Sequence, residues 1–405
     1  MRKVLFVVLL SLLLLAGCSI FQPAPEPTAT PTRVPPTDTQ TPSATPTQVP
    51  PTETPTATLS PTPSPTPDYP AEGYGPTGFP DEINPLTGLP VDDESLLERR
   101  PLAIKIQLFP RSQRYPWGVS LADVVYDYYQ NAGITRLTTI FLGQDAEQVG
   151  PIRSARVFDS EIVAMHNAIF GFGGADPTIT NILYTRIPFS QLVNGVASNC
   201  PPMCRIDPNG FNYLVTDTAE LSDFITNNGL DNSRQNLDGW TFNYQLPQDG
   251  EIAEQVFVRH SIGAYTRWDY DMESGRYLRF QDTVEDDQNG ANEEYEPFVD
   301  QLTDEQVSAS NVVVVLVPHN YLRQPPGEII EILLNGSGTA YAFRDGRVFE
   351  VQWNRPPDGS AFYLTDADGE RFPLKPGNTW VEVVGQFSEV SQPEDNAWRF
   401  VFGFP

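Results

Sequence analysis

In the stretch Gly150-Pro151-Ile152-Arg153-Ser154-Ala155-Arg156, two guanidinium groups stand three residues apart around a serine, in a chain whose formal charge is −27. A guanidinium presents a planar fork of donors that matches the oxygens of a carboxylate or a phosphate. Arg153, Ser154 and Arg156 therefore read as an anion-binding turn. Arg111 and Arg114, in "PRSQRYPWG", repeat the spacing in a second loop. Gly173-Gly174 would let backbone approach a ligand closely, and Asp176-Pro177 reads as a helix N-cap followed by proline at the first helical position. A plainer role is open to each: an arginine among many carboxylates is usually an internal ion pair, and Gly-Gly is usually a turn.

Other reactive groups are sparse. Lysine occurs only as Lys3, Lys105 and Lys375, with no Ser-x-x-Lys spacing. His166, His260 and His319 lie far apart and form no metal-ligand pattern, so no metal and no cofactor is expected. Asp123 reads as a helix-capping residue and Asp127, one turn on, as a solvated carboxylate rather than half of an acid–base pair. The acidic run 285–296 lacks the spacing of an EF-hand loop and reads as a solvated, mobile loop. The tryptophans Trp117, Trp268, Trp353 and Trp380 read mainly as core. Nonspecific nucleic-acid binding is excluded by the charge, because it needs a basic footprint to neutralise phosphates. Cys200 and Cys204, in "NCPPMCRID", are expected to form a disulfide in an exported protein. The alternative is a cell-wall-modifying enzyme, either a hydrolase with a carboxylate pair or a cysteine-dependent enzyme with Cys204 as nucleophile, since Cys204-Arg205 superficially looks like the Cys-Arg pair of L,D-transpeptidases. Their preceding Ser-His-Gly is missing.

The termini set the compartment. Arg2 and Lys3 precede an apolar run from Val4 to Leu15, the pattern of an export signal over residues 1–17. Leu15-Ala16-Gly17-Cys18 resembles a lipobox, which makes Cys18 the lipid anchor of an extracytoplasmic protein held at the bacterial membrane. Residues 18–80 hold that anchor and a disordered linker rich in proline and threonine, with too little apolar area to offset the entropy of folding. As polyproline II at about 3.1 Å per residue it would reach on the order of 180 Å.

The elements that must position the arginines follow. Residues 81–250 are expected to form an α/β domain with a largely parallel sheet. Its strand 101–109 leads to a helix over 120–133, capped by Ser120 and Asp123 and ended by Gly133. A strand at 135–143, a helix from Asp159, a strand at 168–175 and helices near 178–186 and 217–228 complete it. In such a sheet the loops after the strands share the carboxyl edge, which gathers the arginine loops and Gly173-Gly174 beside free backbone N–H groups of the helix at Asp159. Arg136, at the start of its strand, falls on the opposite edge and reads as structural. Residues 251–405 are expected to be a β-rich domain of hairpins turning at Glu273-Ser274-Gly275, Asp345-Gly346 and Asp368-Gly369, with "NVVVVLV" as a central strand. The fold class is thus mixed α+β.

The stretches "NPLTGLPV" (84–91), "SLADVVYDYYQNAGITRL" (120–137), "GPIRSAR" (150–156), "RWDYDMESGRYLRF" (267–280), "GSGTAYAFRDGRVFEVQW" (336–353) and "PLKPGNTWVEVV" (373–384) resemble the YerB-like lipoproteins, a bacterial family with N- and C-terminal modules and no established activity. The resemblance covers 84–384. It implies an exported, membrane-anchored protein, and it adds Arg136, within Gly133-Ile-Thr-Arg136, to the residues of interest. Where similar proteins have a Pro-His-Asn segment, this chain reads Asp207-Pro208-Asn209, which weighs against a shared catalytic histidine. The combined expectation is a non-enzymatic lipoprotein that binds an anionic envelope ligand, a wall polymer or a partner protein through Arg153 and Arg156.

Overall fold

The computed structural model describes residues 69–404 apart from 115, 198, 199, 208 and 210–212. The export signal, Cys18 and the linker up to residue 68 lie outside the described residues. The linker was expected to reach Pro80, yet the chain is already held by the body at Tyr69. Its ring meets those of Tyr74 and Tyr244 edge-on, with centroids 4.8 Å apart, and Tyr74 bridges Phe242.

β1 (Leu102–Gln107) is buried along its whole length. Leu102, Ile104 and Ile106 enter one core and Ala103 the other, as the two-residue period of a strand requires. The helix expected over 120–133 is absent. A short turn at Val119–Leu121 leads into β2 (Val124–Asn131), which pairs antiparallel with β3 (Ile134–Phe141). Val124, Val125, Tyr126, Tyr128 and Tyr129 are β-branched or aromatic, and such side chains pack well on a pleated surface but lose χ1 freedom in a helix. Ala132 (φ 52°) and Gly133 (φ 74°) supply the two left-handed residues of a hairpin turn, so Gly133 ends a strand rather than a helix. Asp123 caps no helix either: its carboxylate accepts from the Leu142 and Gly143 N–H groups and from Asn84 Nδ2.

Among the described residues three α-helices follow. α1 (Asp159–His166) ends at Asn167 in the left-handed conformation, and β4 (Ile169–Phe172) succeeds it. α2 (Pro177–Arg186) begins with Asp176 accepting the Thr178 N–H at 2.8 Å, a cap worth about 1 kcal/mol. β5 (Leu192–Asn194), β6 (Met203–Arg205) and β7 (Leu214–Thr216) precede α3 (Thr218–Asn227), which Asp217 caps.

β8 (Gln255–Ser261), β9 (Ala264–Asp271) and β10 (Arg276–Asp282) form a second sheet. The chain then returns to the first sheet through β11 (Asn311–Val317), the hairpin β12 (His319–Arg323) and β13 (Ile329–Ile332), then β14 (Gly336–Arg344), β15 (Arg347–Arg355) and β16 (Thr379–Gly385). β17 (Glu389–Glu394) and β18 (Ala397–Val401) close the second sheet. β16 runs parallel to both β11 and β2, so the first sheet holds eleven strands and spans both halves of the sequence, in the order β15-β14-β11-β16-β2-β3-β1-β4-β5 with short pairings at 251–252 and 363–365.

The sheet is therefore mixed rather than largely parallel. β2, β3 and β1 are antiparallel neighbours, and parallel pairing in the first half is confined to β1, β4 and β5. α1, α2 and residues of β13 pack on one face; the second sheet and α3 cover the other. A sheet buried on both faces explains why its strands read as continuous apolar runs. Trp268, Trp353 and Trp380 are all core residues.

Candidate anion-binding site

Antiparallel pairing reverses the placement of Arg136. The start of β3 lies beside the end of β1, in the register Arg136 opposite Gln107, so Arg136 shares an edge with the Arg153 turn. The chain after β3 crosses the sheet and runs back along β1. Gln107 N–H donates to Pro151 O at 2.9 Å, Arg153 N–H to Lys105 O at 3.1 Å, and Gly173 N–H to Arg153 O at 2.9 Å. A Cβ on Gly173 would come within 3.2 Å of Arg153 Cα, so this glycine admits the protein's own backbone. Gly174 (φ 82°) receives the Ala155 N–H at 2.9 Å.

Beneath the turn is a buried polar group. Lys105 Nζ donates to Tyr128 Oη and, at 3.1 Å, to Thr138 Oγ1, and it stands 3.3 Å from Asp159 Oδ1. The Tyr128 and Thr138 hydroxyls both donate to that same Oδ1, while Asp159 Oδ2 accepts the Arg156 N–H at 2.6 Å. Burial lowers the Lys105 ammonium to about 7; Asp159 opposes the shift, and Arg136 and Arg156 add to it. The backbone N–H groups of residues 159–161 bond to the carbonyls of 156–158. The helix terminus expected to offer free donors is thus satisfied internally, because Asp159 and the turn before it take that place.

The guanidinium groups around this carboxylate outnumber it. Arg136 is 8% exposed and donates to Gln107 Oε1 and, at 2.7 Å, to Ser154 O. Arg156 donates to Ala155 O and Asn131 Oδ1, both at 2.9 Å, and more weakly to Ser154 O. Every one of these acceptors is neutral, and among the described residues neither side chain makes an ion pair within 4 Å. Burial depresses all three arginines from their ordinary range. The charges of Arg156 and Arg153 add to the effect on Arg136, and that of Arg205 to the effect on Arg153. Arg136 and Arg156 are thus partly desolvated cations whose acceptors among the described residues are neutral oxygens.

Arg205 is the member that sequence reasoning missed. It lies exposed at the end of β6, opposite Leu214 of β7, whose carbonyl accepts the Ile152 N–H at 2.7 Å. Its only sequence signal was adjacency to Cys204, and that drew attention to the sulfur.

The remaining expected residues go elsewhere. Arg111 and Arg114 both pair with Asp282 and with carbonyls of Gly263, Val284, Leu108 and Asp282, clamping the loop after β1 onto the second sheet. Asp176 pairs with Arg323 at 2.9 Å. Ser154 serves through its carbonyl. Cys200 and Cys204 are joined by a disulfide with Cα atoms 4.8 Å apart, just before Arg205.

Two carboxylates expected in solvent are buried. Asp127 pairs at 2.8 Å with Arg279, whose guanidinium lies 4.4 Å over Phe298 and 4.7 Å over Trp380. Asp286, in the run expected to be mobile, accepts N–H groups of Gln288, Gly290 and Asn292 and pairs with Arg259, so that loop is ordered around it. Among the described residues no cluster of His, Cys, Asp and Glu could hold a metal, and no helix is long and apolar enough to cross a membrane.

Residues 86–229 match the family model described as the N-terminal domain of a protein of unknown function, DUF3048, and residues 256–381 match its C-terminal domain. A Bacillus subtilis relative named "Putative lipoprotein YerB" is 24% identical over 310 residues, covering 76% of this chain and 87% of the relative. The crystal structure of YerB from Bacillus subtilis superposes with a TM-score of 0.60 at 23% identity, over 75% of this chain and 96% of that one. The two family domains occur in sequence, yet both feed the eleven-stranded sheet. The chain thus belongs to the DUF3048 family and is homologous to YerB over most of its length.

Proposed function

We propose that this protein is an extracytoplasmic lipoprotein, anchored through Cys18, that binds an anionic group of the cell envelope without chemically altering it. The observation that carries the reading is the pairing of Arg136 and Arg156 with neutral oxygens only, although the chain has 52 Asp and Glu residues from which to draw a counter-ion. Guanidinium groups left without acids in a partly desolvated edge favour an external anion more strongly than exposed ones do. Arg153 joins them at the same edge. An anion class common to wall-polymer phosphates, peptide carboxylates and an acidic protein terminus fits this donor set.

The disulfide between Cys200 and Cys204 weighs against the cysteine-dependent form of the enzymatic alternative, because a disulfide-bonded Cys204 carries no thiolate. The test replaces Arg156 by Ala in the full-length protein and measures phosphate binding by calorimetry beside the melting temperature. Binding weakened by tenfold or more, roughly what a charge-assisted hydrogen bond contributes, is expected with a melting temperature within a few degrees of the parent. Unchanged binding with a collapsed melting temperature would make the arginine structural and refute the reading.

A further inference from the structure

The end of the eleven-stranded sheet away from the arginine turn carries an incomplete edge. β15 is its outermost long strand, and two short stretches cover the free side. Glu251–Ile252 pairs with Val348 and Arg347, and Tyr363–Thr365 pairs with Gln352, Trp353 and Asn354. Arg344 and Arg347 flank a two-residue turn, so Arg347 bonds inward to β14, and alternation turns the main-chain N–H and C=O of Val348, Glu350 and Gln352 outward. The bond from Ala253 N–H to Gly346 O, 2.9 Å, agrees with that phase. Val348 and Gln352 meet the short strands, whereas Glu350 between them has no strand partner on that side. The chain leaves the edge at Asp249 (φ 65°) on one flank and in the turn from Asp366 to Gly369 on the other. A cavity of about 490 Å³ opens at this gap.

Register partners share a face of a sheet, so the side chains of Glu251, Val348, Glu350 and Tyr341 project on one side. There Tyr341 meets Trp398 of β18, with ring centroids 5.9 Å apart, and both half-buried rings line the cavity. Asp249, Asp366 and Asp368 bring the lining to five exposed carboxylates, with no Lys, Arg or His beside them. Among the described residues none of the five makes an ion pair within 4 Å, and they are too dispersed to gather around a metal. From this edge we infer a docking site for a basic peptide, an extended stretch of a partner protein in which a lysine or arginine pairs with Glu350. Such a residue exchanges N–H and C=O bonds with Glu350, and its side chain then falls on the face that holds Glu251, Glu350 and the two aromatic rings. A neutral strand would leave the five like charges unanswered, and a free polyamine would leave the Glu350 main chain unpaired. Val348 and Gln352 lie about 13 Å apart along β15. That admits about three extended residues, as on a loop tip or chain end, rather than a whole added strand.

The test titrates the full-length protein with three probes: a capped Lys-Val-Lys-Val-Lys peptide, the same peptide methylated on the backbone nitrogens of its lysines, and spermidine, which carries the same charge without a peptide backbone. Each is measured against the parent, the double variant Glu251→Gln with Glu350→Gln, and a control double variant, Asp92→Asn with Glu94→Gln, which removes two exposed charges outside the cavity. The unmodified peptide is expected to bind the parent about fivefold or more tightly than either other probe, in line with the loss of a main-chain hydrogen bond. The Glu251 and Glu350 double variant should weaken it by a similar factor, with a melting temperature within a few degrees of the parent, and the control should leave it within about twofold. Equal binding of spermidine or of the methylated peptide would reduce the cavity to a bare cation site and overturn the proposal. An equal loss in both double variants would reduce it to bulk attraction by an acidic surface, and no binding to the parent would remove it altogether. None of these outcomes touches the anion-binding turn, which lies at the other end of the sheet.

Discussion

Asp159 carries more of this structure than its single charge suggests. It receives two hydroxyl hydrogen bonds and one backbone N–H, stands 3.3 Å from Lys105, and is the one carboxylate that both Lys105 and Arg156 feel. Removing one partner of a buried pair leaves the other uncompensated. Asp159→Asn is therefore expected to destabilise the protein by about 3 kcal/mol in urea unfolding at pH 6. The loss should shrink above pH 7, where Lys105 sheds its proton in the folded state, since its ordinary value of 10.5 falls to about 7. A loss independent of pH would show that the lysine charge is not what Asp159 balances. Residue types alone flagged Arg153 and Arg156. They could not flag Lys105, because a lone lysine in a strand shows its burial only once Tyr128, Thr138 and Asp159 close around it.

Between elements, the two sheets meet across a small polar island. Asp127 of β2 and Glu382 of β16 are register partners, and Arg279 of β10 reaches Asp127 while Trp268 Nε1 of β9 donates to Glu382 at 3.0 Å. Burial first, then the Asp127 charge, pushes Glu382 from its ordinary 4.5 up to about 8. Between those values the folded state keeps a proton that the unfolded chain has released, so this group makes stability fall as pH rises through that window. Glu382→Gln mimics the protonated form. The variant is expected to be more stable than the parent at pH 8, by on the order of 2 kcal/mol, and equal near pH 4.5 in thermal unfolding. A parent and variant with parallel pH profiles would contradict the protonated carboxyl. The same strand explains why β2 was misread: Ser120 and Asp123 imitate a capping box, but the β-branched and aromatic run after them meets a partner on each side, and that tertiary pairing outweighs a local start signal.

For the molecule as a whole, the shared sheet makes the two sequence modules interdependent. Without β16, β2 becomes an open edge, and without the second sheet Leu102, Ile104, Ile106, Val125 and Phe141 lose their cover. Residues 69–250 expressed alone are accordingly expected to show no cooperative thermal transition by circular dichroism, and to regain one when mixed with residues 251–405. An independently cooperative fragment would show that each half carries its own core. The amino-acid sequence by itself determined the features set by local chemistry: the cap at Asp176, turns at Asp345-Gly346 and around Ser274-Gly275, a valine-rich central strand, and arginines at 153 and 156. Strand direction, the arrival of Arg136 and Arg205 beside those arginines, the diversion of Arg111 and Arg114 to Asp282, and the burial of Asp127 were decided by tertiary structure. Those outcomes depend on which distant strand supplies each partner, and neither hydrogen-bond register nor charge pairing across more than a hundred residues leaves a mark in local composition.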